Sequence, residues 1–264
     1  MRIIVCIKQV PDTTEVQFDE EKGTLIRDGV PHIINPFDEN AIEAALTLVE
    51  EHGGEVIVLS MGPPQTEDRL REAIAMGADR AVLLCDRALA GGDTLATSYS
   101  LAQGIRKIGD YDLIFTGKQA FDGDTGQVGP GLAEQLGIPQ VTYAIEIEEV
   151  DTESNEIQVR RLLDDGFEVV RTKMPCVVTA VKQLNEPRLA GLKGRMQAKK
   201  AEIDVWTAEE IEADCDCCGL DGSPTSVIEV FTPSRDIEGE KIEGETPEEI
   251  ARKLLDALSA DKLV

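Results

Sequence analysis

Between Leu113 and Leu136 an apolar run, a glycine-rich turn and a helical segment follow one another. The turn reads Gly117-Lys118-Gln119-Ala120-Phe121-Asp122-Gly123-Asp124-Thr125-Gly126-Gln127-Val128-Gly129-Pro130. Glycines let a backbone approach a ligand closely. Amides exposed between a buried strand and a helix N-terminus can hold an anion. Asp122 and Asp124 oppose a phosphate; they suit capping of backbone N–H groups, or accepting from ribose or ribityl hydroxyls. Thr125 and Gln127 are donors suited to a phosphate or a ring edge. Pro130 fits a first helical position and Gly129 a cap, so the helix start stays open. The turn contains neither G-x-x-x-x-G-K-[ST] nor G-x-G-x-x-G. A connector with no ligand is the alternative, although long loops in compact α/β domains are often functional.

Three further clusters lie where strands give way to helices. Asn35-Pro36-Phe37-Asp38 approaches the first helix, as a simple turn or as a ligand contact. Met61-Gly62-Pro63-Pro64 ends the second strand; Gly62 allows close approach and Met61 could cover an aromatic ring. Gly91-Gly92-Asp93-Thr94-Leu95-Ala96-Thr97 starts another helix, with Asp93 as its cap. Thr94 and Thr97, three apart, present two hydroxyls on one face, which suits a phosphate. Cap and phosphate site are compatible. Cys215-Asp216-Cys217-Cys218 lacks the second ligand pair of a structural zinc site, and the histidines are His32 and His52. We therefore expect no metal. No Ser-His-Asp, Cys-His or H-E-x-x-H arrangement is evident. A cofactor that brings its own chemistry fits better than side-chain acid–base catalysis.

The elements around these clusters alternate. Strands are expected at Ile3 to Ile7, Val56 to Leu59, Ala81 to Leu84, Leu113 to Phe115 and Val141 to Ala144. A helix over Asn40 to Glu50 buries Ile42, Ala45, Leu46 and Val49, with Asn40 and Glu43 as a capping box. Another starts at Thr66, buries Leu70, Ala73 and Ile74, and ends at Gly77. A third turns Leu95, Tyr99, Ala102 and Ile105 inward and ends at Gly109. Continuous apolar strands between amphipathic helices imply a mostly parallel α/β sheet with helices on both faces. Its ligands belong beyond the carboxyl ends of the strands. Ile157 to Leu162 and Phe167 to Arg171 flank Asp164-Asp165-Gly166 as an antiparallel β-hairpin, and Pro175 to Val181 returns to the sheet. Gln183 to Val205 reads as polar loop, and 206–245 as acidic and poorly periodic. An amphipathic helix from about Pro247 to Leu258 carries Ile250, Leu254 and Leu258 on one face. We expect an α/β nucleotide-binding domain over 1–205 and an extended C-terminal arm over 206–264, whose final helix packs on another subunit.

The 264 residues carry a formal charge of -25. That field repels nucleic acid and anionic lipid, so neither is an expected partner. Cys6, Cys85 and Cys176 each sit in an apolar run and read as small core residues. No signal peptide or membrane-spanning run is expected, and the reading is a soluble, cytoplasmic protein in a reducing compartment. One stretch reverses the global sign: Arg188, Lys193, Arg195, Lys199 and Lys200, interleaved with Leu189, Leu192 and Met196. It is a solvated face or a docking surface, where an exposed leucine can anchor a partner.

Over nearly its whole length the chain resembles the β subunit of electron transfer flavoproteins. The matching segments, in order, are Val5-Cys6-Ile7-Lys8-Gln9-Val10-Pro11-Asp12, Asn35-Pro36-Phe37, Met61-Gly62-Pro63, Ala75-Met76-Gly77-Ala78-Asp79-Arg80, Gly117-Lys118-Gln119-Ala120 with Asp122-Gly123-Asp124, Met174-Pro175-Cys176-Val177-Val178-Thr179 and Asn185-Glu186-Pro187-Arg188. The resemblance implies a Rossmann-like domain paired with an α subunit that carries FAD. Simple members hold a structural AMP, and their loop reads asparagine-glutamine or asparagine-alanine followed by threonine-glycine. Here Asp124-Thr125-Gly126-Gln127-Val128-Gly129-Pro130 looks like the electron-bifurcating members, in which a second FAD occupies the site. Their Gly-x-Asp-Thr-Leu-Ala-Thr segment resembles Gly92 to Thr97. Gly126 departs from an expected alanine.

Carried over by position, the cofactor contacts are Cys6, Asn35, Pro36, Phe37, Asp38, Met61 and every residue from Gly117 through Lys118, Gln119, Ala120, Phe121, Asp122, Gly123, Asp124, Thr125, Gly126 and Gln127 to Val128. Thr94 and Thr97 join them for an FAD site. The family's recognition loop corresponds to about 182–203, with Leu192 as anchor and Arg188, Leu189, Lys193, Arg195 and Met196 around it. The implied function is NADH oxidation at the FAD, with one electron going through the α-subunit flavin to an acyl-CoA dehydrogenase-like partner and the other to ferredoxin or flavodoxin. AMP as a structural ligand is the implied alternative. Two other classes are an ATP-hydrolysing or adenylating enzyme and a nucleotide sensor. The former's pyrophosphatase loop would need a serine where Ala90 stands.

Overall fold

The computed structural model describes residues 1–12, 17–19, 24–26, 31–228, 239 and 241–264. Residues 229–238 and 240, within the acidic stretch expected over 206–245, lie outside them. Two compact units are present, Met1–Val227 and Ile228–Val264.

The first unit is built on a nine-stranded sheet. In chain order its elements are β1 (Arg2–Cys6), β2 (Gln9–Pro11), β3 (Gln17–Asp19), β4 (Thr24–Ile26), β5 (His32–Ile34), α1 (Pro36–His52), β6 (Glu55–Met61), α2 (Glu67–Met76), β7 (Arg80–Leu84), α3 (Thr94–Ile108), β8 (Leu113–Gly117), α4 (Val128–Leu136), β9 (Gln140–Asp151), β10 (Glu156–Leu163), β11 (Gly166–Lys173), β12 (Cys176–Ala180), α5 (Leu192–Ala198) and β13 (Asp204–Trp206). The large sheet runs β11-β10-β9-β12-β8-β1-β6-β7-β13, while β2–β5 and β3–β4 form two small pairs. All neighbours in the large sheet are parallel except at β10, which runs against both β9 and β11. The mostly parallel sheet and the hairpin are therefore as the sequence predicts.

Alternation along β1 splits the core. Ile3 and Val5 point to the face covered by α1 and α2, while Ile4 and Cys6 point to the face covered by α3 and α4. Both layers are aliphatic; Phe115 is the one aromatic ring among the largest fully buried side chains. Each such fully buried chain contributes about 1.5–3 kcal/mol.

Four elements differ from expectation. Helix α1 begins at Pro36, four residues before the expected Asn40, because proline at the first helical position has no amide to leave unpaired. Asn40 and Glu43 therefore lie inside the helix and form no capping box. The Asn40 Nδ2 donates to Asn185 O at 2.8 Å, and Glu43 accepts from Arg188. On α3 the expected inward residue Leu95 is 52% exposed. The buried stripe there is made largely of small residues, including Ala96, Ser98, Ser100 and Gly104. A Cβ on Gly104 would sit 3.0 Å from Leu84 Cδ1, so α3 packs tightly on β7 there. Within the expected loop 183–205 lie α5 and β13. α5 packs on α2 through Gly194, where a Cβ would be 2.1 Å from Ala75 O, and through buried Ala198. Its bulky residues face outward, which hides the helix from a search for apolar periodicity. β13 extends the sheet past β7, fastened by Arg80 Nη2 to Asp204 Oδ2 at 2.6 Å. The coil after it, to Val227, belongs to the first unit.

The second unit contains α6 (Pro247–Ala260). The Thr246 hydroxyl caps it by accepting from Glu249 N at 3.2 Å. None of its residues is buried, and Ile250, Leu254 and Leu255 are exposed apolar side chains.

Candidate functional site

The chain runs from β1 through β6 to β7 on one side and places β8 on the other, so the strand order reverses between β1 and β8. Loops leaving neighbouring parallel strands in opposite directions open a crevice at their carboxyl ends. The residues expected to bind a cofactor converge there. Cys6 ends β1, Met61 ends β6, Gly117 ends β8, and Asn35 to Asp38 form the turn into α1.

Asp38 is the keystone of the crevice floor. Its carboxylate accepts from Lys8 N at 2.7 Å and Gly117 N at 3.0 Å, bridging the exits of β1 and β8. Burial pushes its carboxyl up to about 7, although hydrogen bonds from Asn35, Lys8 and Gly117 and the charge of Lys8 pull the other way. Gly117 cannot carry a side chain, because a Cβ would lie 2.3 Å from Asp38 Oδ1 and 2.7 Å from Phe37 Cβ. Cys6 is buried beneath. Desolvation, and then the Asp38 charge, push its thiol well above the ordinary range, so it is neither a nucleophile nor a thiolate ligand near neutral pH.

Asn35 builds the loop. Its Nδ2 donates to Gln119 O at 2.8 Å and its Oδ1 accepts from Phe121 N at 3.2 Å. The side chain is thereby committed to scaffolding. Phe37 meets Phe121 edge-on with centroids 5.6 Å apart, and Phe121 stays 50% exposed at the mouth. Asp122 pairs with Lys8 Nζ at 2.7 Å, and Asp124 accepts from Gln119 Nε2. Both acidic side chains are therefore engaged by protein donors. Asp124 and Gly126 have positive φ, 52° and 64°, so the chain turns sharply before α4. Gly123, Asp124, Thr125 and Gln127 are exposed; Ala120, Gly126 and Val128 are partly covered.

Helix α4 opens at Val128, after Gln127, with no side-chain cap on its first amides. Gly129 fits in its first turn only because it is glycine: a Cβ would be 2.5 Å from Thr179 Cγ2 and 2.9 Å from Thr116 Oγ1. Gly131 likewise packs against Ser98 of α3, where a Cβ would lie 2.4 Å from Ser98 Oγ. The N-terminal halves of α3 and α4 are thus in contact. Thr94 and Thr97, both partly covered, lie on the first turn of α3, and Asp93 caps it by accepting from Leu95 N at 3.0 Å and Ala96 N at 3.1 Å. At the β6 exit Thr66 Oγ1 is buried with no partner, beside Gly62.

A phosphate-bearing ligand fits these residues. They offer uncapped amides, a glycine-rich wall with little side-chain bulk, and acidic side chains held by protein donors, Asp122 by the Lys8 ammonium and Asp124 by the Gln119 amide. Among the described residues, no group of three or more His, Cys, Asp or Glu could hold a metal ion. No helix among them is long and apolar enough to cross a membrane. Cys218 is buried and accepts from Ser100 Oγ at 3.6 Å, while Cys215 and Cys217 are exposed.

The sequence reading passed over Lys8, Ser98, Thr116, Tyr143 and Thr179. Lys8 stood in a matched motif without an assigned role. So did Thr179; Ser98, Thr116 and Tyr143 are ordinary strand or helix residues, and their part in the site arises only from strand order.

The predicted docking residues divide. Leu189, Leu192 and Met196 are 94%, 78% and 57% exposed, and Lys193 and Arg195 are exposed with them. Arg188 is not free for a partner. Its guanidinium is held by Glu43 at 2.8 Å and by Glu50, which raises its pKa further and holds the Glu50 carboxyl below its ordinary range.

Comparison with known proteins identifies the chain's family. Residues 22–211 match the family described as Electron transfer flavoprotein domain. An electron transfer flavoprotein subunit beta of Clostridium acetobutylicum is 52% identical over 243 residues, covering 92% of each chain. The caffeyl-CoA reductase-Etf complex subunit CarD of Acetobacterium woodii is 48% identical over 265 residues and the full length of both. Protein FixA of Azorhizobium caulinodans is 51% identical over 239 residues, covering 89% of this chain and 85% of its own. The chain belongs to the electron transfer flavoprotein family, on its beta-subunit branch.

Proposed function

We propose that this chain is the beta subunit of a heterodimeric, electron-bifurcating flavoprotein, and that its crevice binds FAD. The observation that carries the proposal is the loop from Gly117 to Val128, propped open at the strand-order reversal against an uncapped α4. A flavin held there supplies two-electron exchange with NADH and one-electron exchange with its partners, chemistry that no side chain of this site possesses.

The chain's own residues bind and orient. First-turn amides of α4 and Lys118 face phosphate charge, with Thr125 and Gln127 as further donors. Asp38 and Asn35 fix the loop so that it costs little to order on binding. The buried, protonated Cys6 adds no competing redox thiolate. Thr94 and Thr97, within one turn of the Ser98 contact between α3 and α4, would serve a cofactor longer than AMP.

An alpha subunit carrying its own FAD would complete the heterodimer, the exposed apolar face of α6 suiting such a contact. Leu189, Leu192 and Met196, among basic residues in an acidic chain, suit an acyl-CoA dehydrogenase-like flavoenzyme as electron acceptor. Ferredoxin or flavodoxin would take the second electron.

The test mixes the purified complex with NADH, ferredoxin and the partner dehydrogenase. Ferredoxin reduction that requires the dehydrogenase and its oxidised substrate is the expected result. Transfer to the dehydrogenase alone, with no ferredoxin reduced, would remove bifurcation and leave an AMP-holding electron carrier.

A further inference from the structure

Two lysines reach the crevice mouth, and they differ. Lys8 is taken by Asp122 at 2.7 Å. Lys118, the first residue after β8, forms no ion pair or side-chain hydrogen bond with any described residue, in a chain of charge -25. Its ammonium lies over the ring of Tyr143, 5.1 Å from the centroid. Its backbone amide is tied to Ala180 O at 2.8 Å, which anchors the residue beside β12.

Tyr143 is itself held in an unusual way. Its φ is 60°, the left-handed region that a bulky residue seldom enters. It falls where the register of β9 against β12 slips, between Val178 and Ala180. Such an irregularity re-aims a side chain, here toward the carboxyl end of β8. The surroundings fasten it from both sides. Tyr143 N donates to Thr179 Oγ1 at 2.9 Å, while Arg161 donates to Thr142 O at 3.0 Å and Thr142 Oγ1 at 2.8 Å. The methyl of the same Thr179 is what requires glycine at position 129 in the first turn of α4. One wall therefore carries the re-aimed ring, the unpaired ammonium above it and the uncapped helix start.

We propose that Tyr143 is a positioning residue whose ring holds the Lys118 ammonium at the crevice mouth as countercharge to a nucleotide phosphate. The proposal rests on the reading that the crevice binds an adenine nucleotide. It adds a residue from β9, remote in sequence from the loop it serves.

Calorimetric titration of the full-length chain with FAD, and separately with AMP, at low and raised salt tests it. Tyr143→Asn removes the ring and keeps a residue type that tolerates positive φ. It should weaken binding about tenfold and flatten the salt dependence, whereas Tyr143→Phe should stay within about twofold of wild type. Lys118→Met should match Tyr143→Asn, and adding Tyr143→Asn to it should cost nothing more, since the two residues act as one unit. A purely structural Tyr143 would give additive losses, which overturns the proposal. So would wild-type affinity in Lys118→Met or Tyr143→Asn, or a Tyr143→Phe as weak as Tyr143→Asn. If Tyr143→Asn does not fold, the Lys118→Met and Tyr143→Phe results decide. A wild type that binds neither nucleotide would instead sink the cofactor reading, and this proposal with it.

Discussion

Asp38 makes the stability of this chain depend on pH in a direction opposite to that of a salt-bridged carboxylate. Buried, it keeps its proton up to about pH 7, whereas an ordinary aspartate releases it near 3.8. Between those values the folded state binds more protons than the unfolded state. Stability from this group therefore falls as pH rises, and levels off above about 7. A little over three pH units corresponds to about 4 kcal/mol at the high-pH limit. Asp38→Asn abolishes the titration. Its amide offers one acceptor oxygen where the carboxylate offered two, so the amide of Lys8 or of Gly117 loses its partner. That loss costs about 1–3 kcal/mol and does not vary with pH. The difference between variant and wild type isolates Asp38 from every other titrating group. It should move in favour of the variant by roughly 2 to 3 kcal/mol between pH 5 and pH 8. Urea unfolding of the nucleotide-free full-length chain at both pH values measures it. A difference that does not change with pH, or that moves in favour of wild type, refutes the reasoning.

Other perturbations have equally definite outcomes. Gly117→Ala drives a Cβ to 2.3 Å from Asp38 Oδ1, and should lower stability by about 1–3 kcal/mol in urea unfolding and weaken nucleotide retention. Arg188→Ala leaves the Glu43 carboxylate, only 12% exposed, without its cation. It should cost roughly 1–3 kcal/mol in urea unfolding, less than breaking a fully buried pair because Arg188 is itself 31% exposed. Leu192→Glu changes a side chain that is 78% exposed and should leave the melting temperature unchanged. In the complex it should slow electron transfer to the dehydrogenase partner at least about tenfold, measured by stopped-flow spectroscopy.

Local pattern carried the sheet and most of its helices, because the central strands β1, β6, β7, β8 and β12 are largely apolar runs and α1 to α4 each stop at a glycine, such as Gly77 or Gly109. Where pattern failed, tertiary contacts had replaced it. Helix α1 took its start from Pro36 and sent Asn40 and Glu43 to a distant loop. Helix α5 was hidden because its seam is Gly194 and Ala198 while Leu192 and Met196 face solvent. Strand β13 is too short to show a period; it pairs with the edge of β7, where Asp204 also meets Arg80. At the site, the loop residues were legible from composition and resemblance. Their division of labour was not. Asn35 and Asp122 are expected as ligand contacts, and the fold also uses their side chains as struts for the loop. Thr179 and Tyr143 gain meaning only when β12 is inserted between β8 and β9.

The central claim is that the crevice between β1 and β8 grips a phosphate-bearing cofactor. The most direct measurement is to denature the complex purified with its alpha subunit and count the flavin and AMP released per heterodimer by chromatography. The account predicts two FAD and no AMP. One FAD with one AMP would keep the crevice and contradict the bifurcating assignment; one FAD with no second adenine nucleotide would contradict the claim itself.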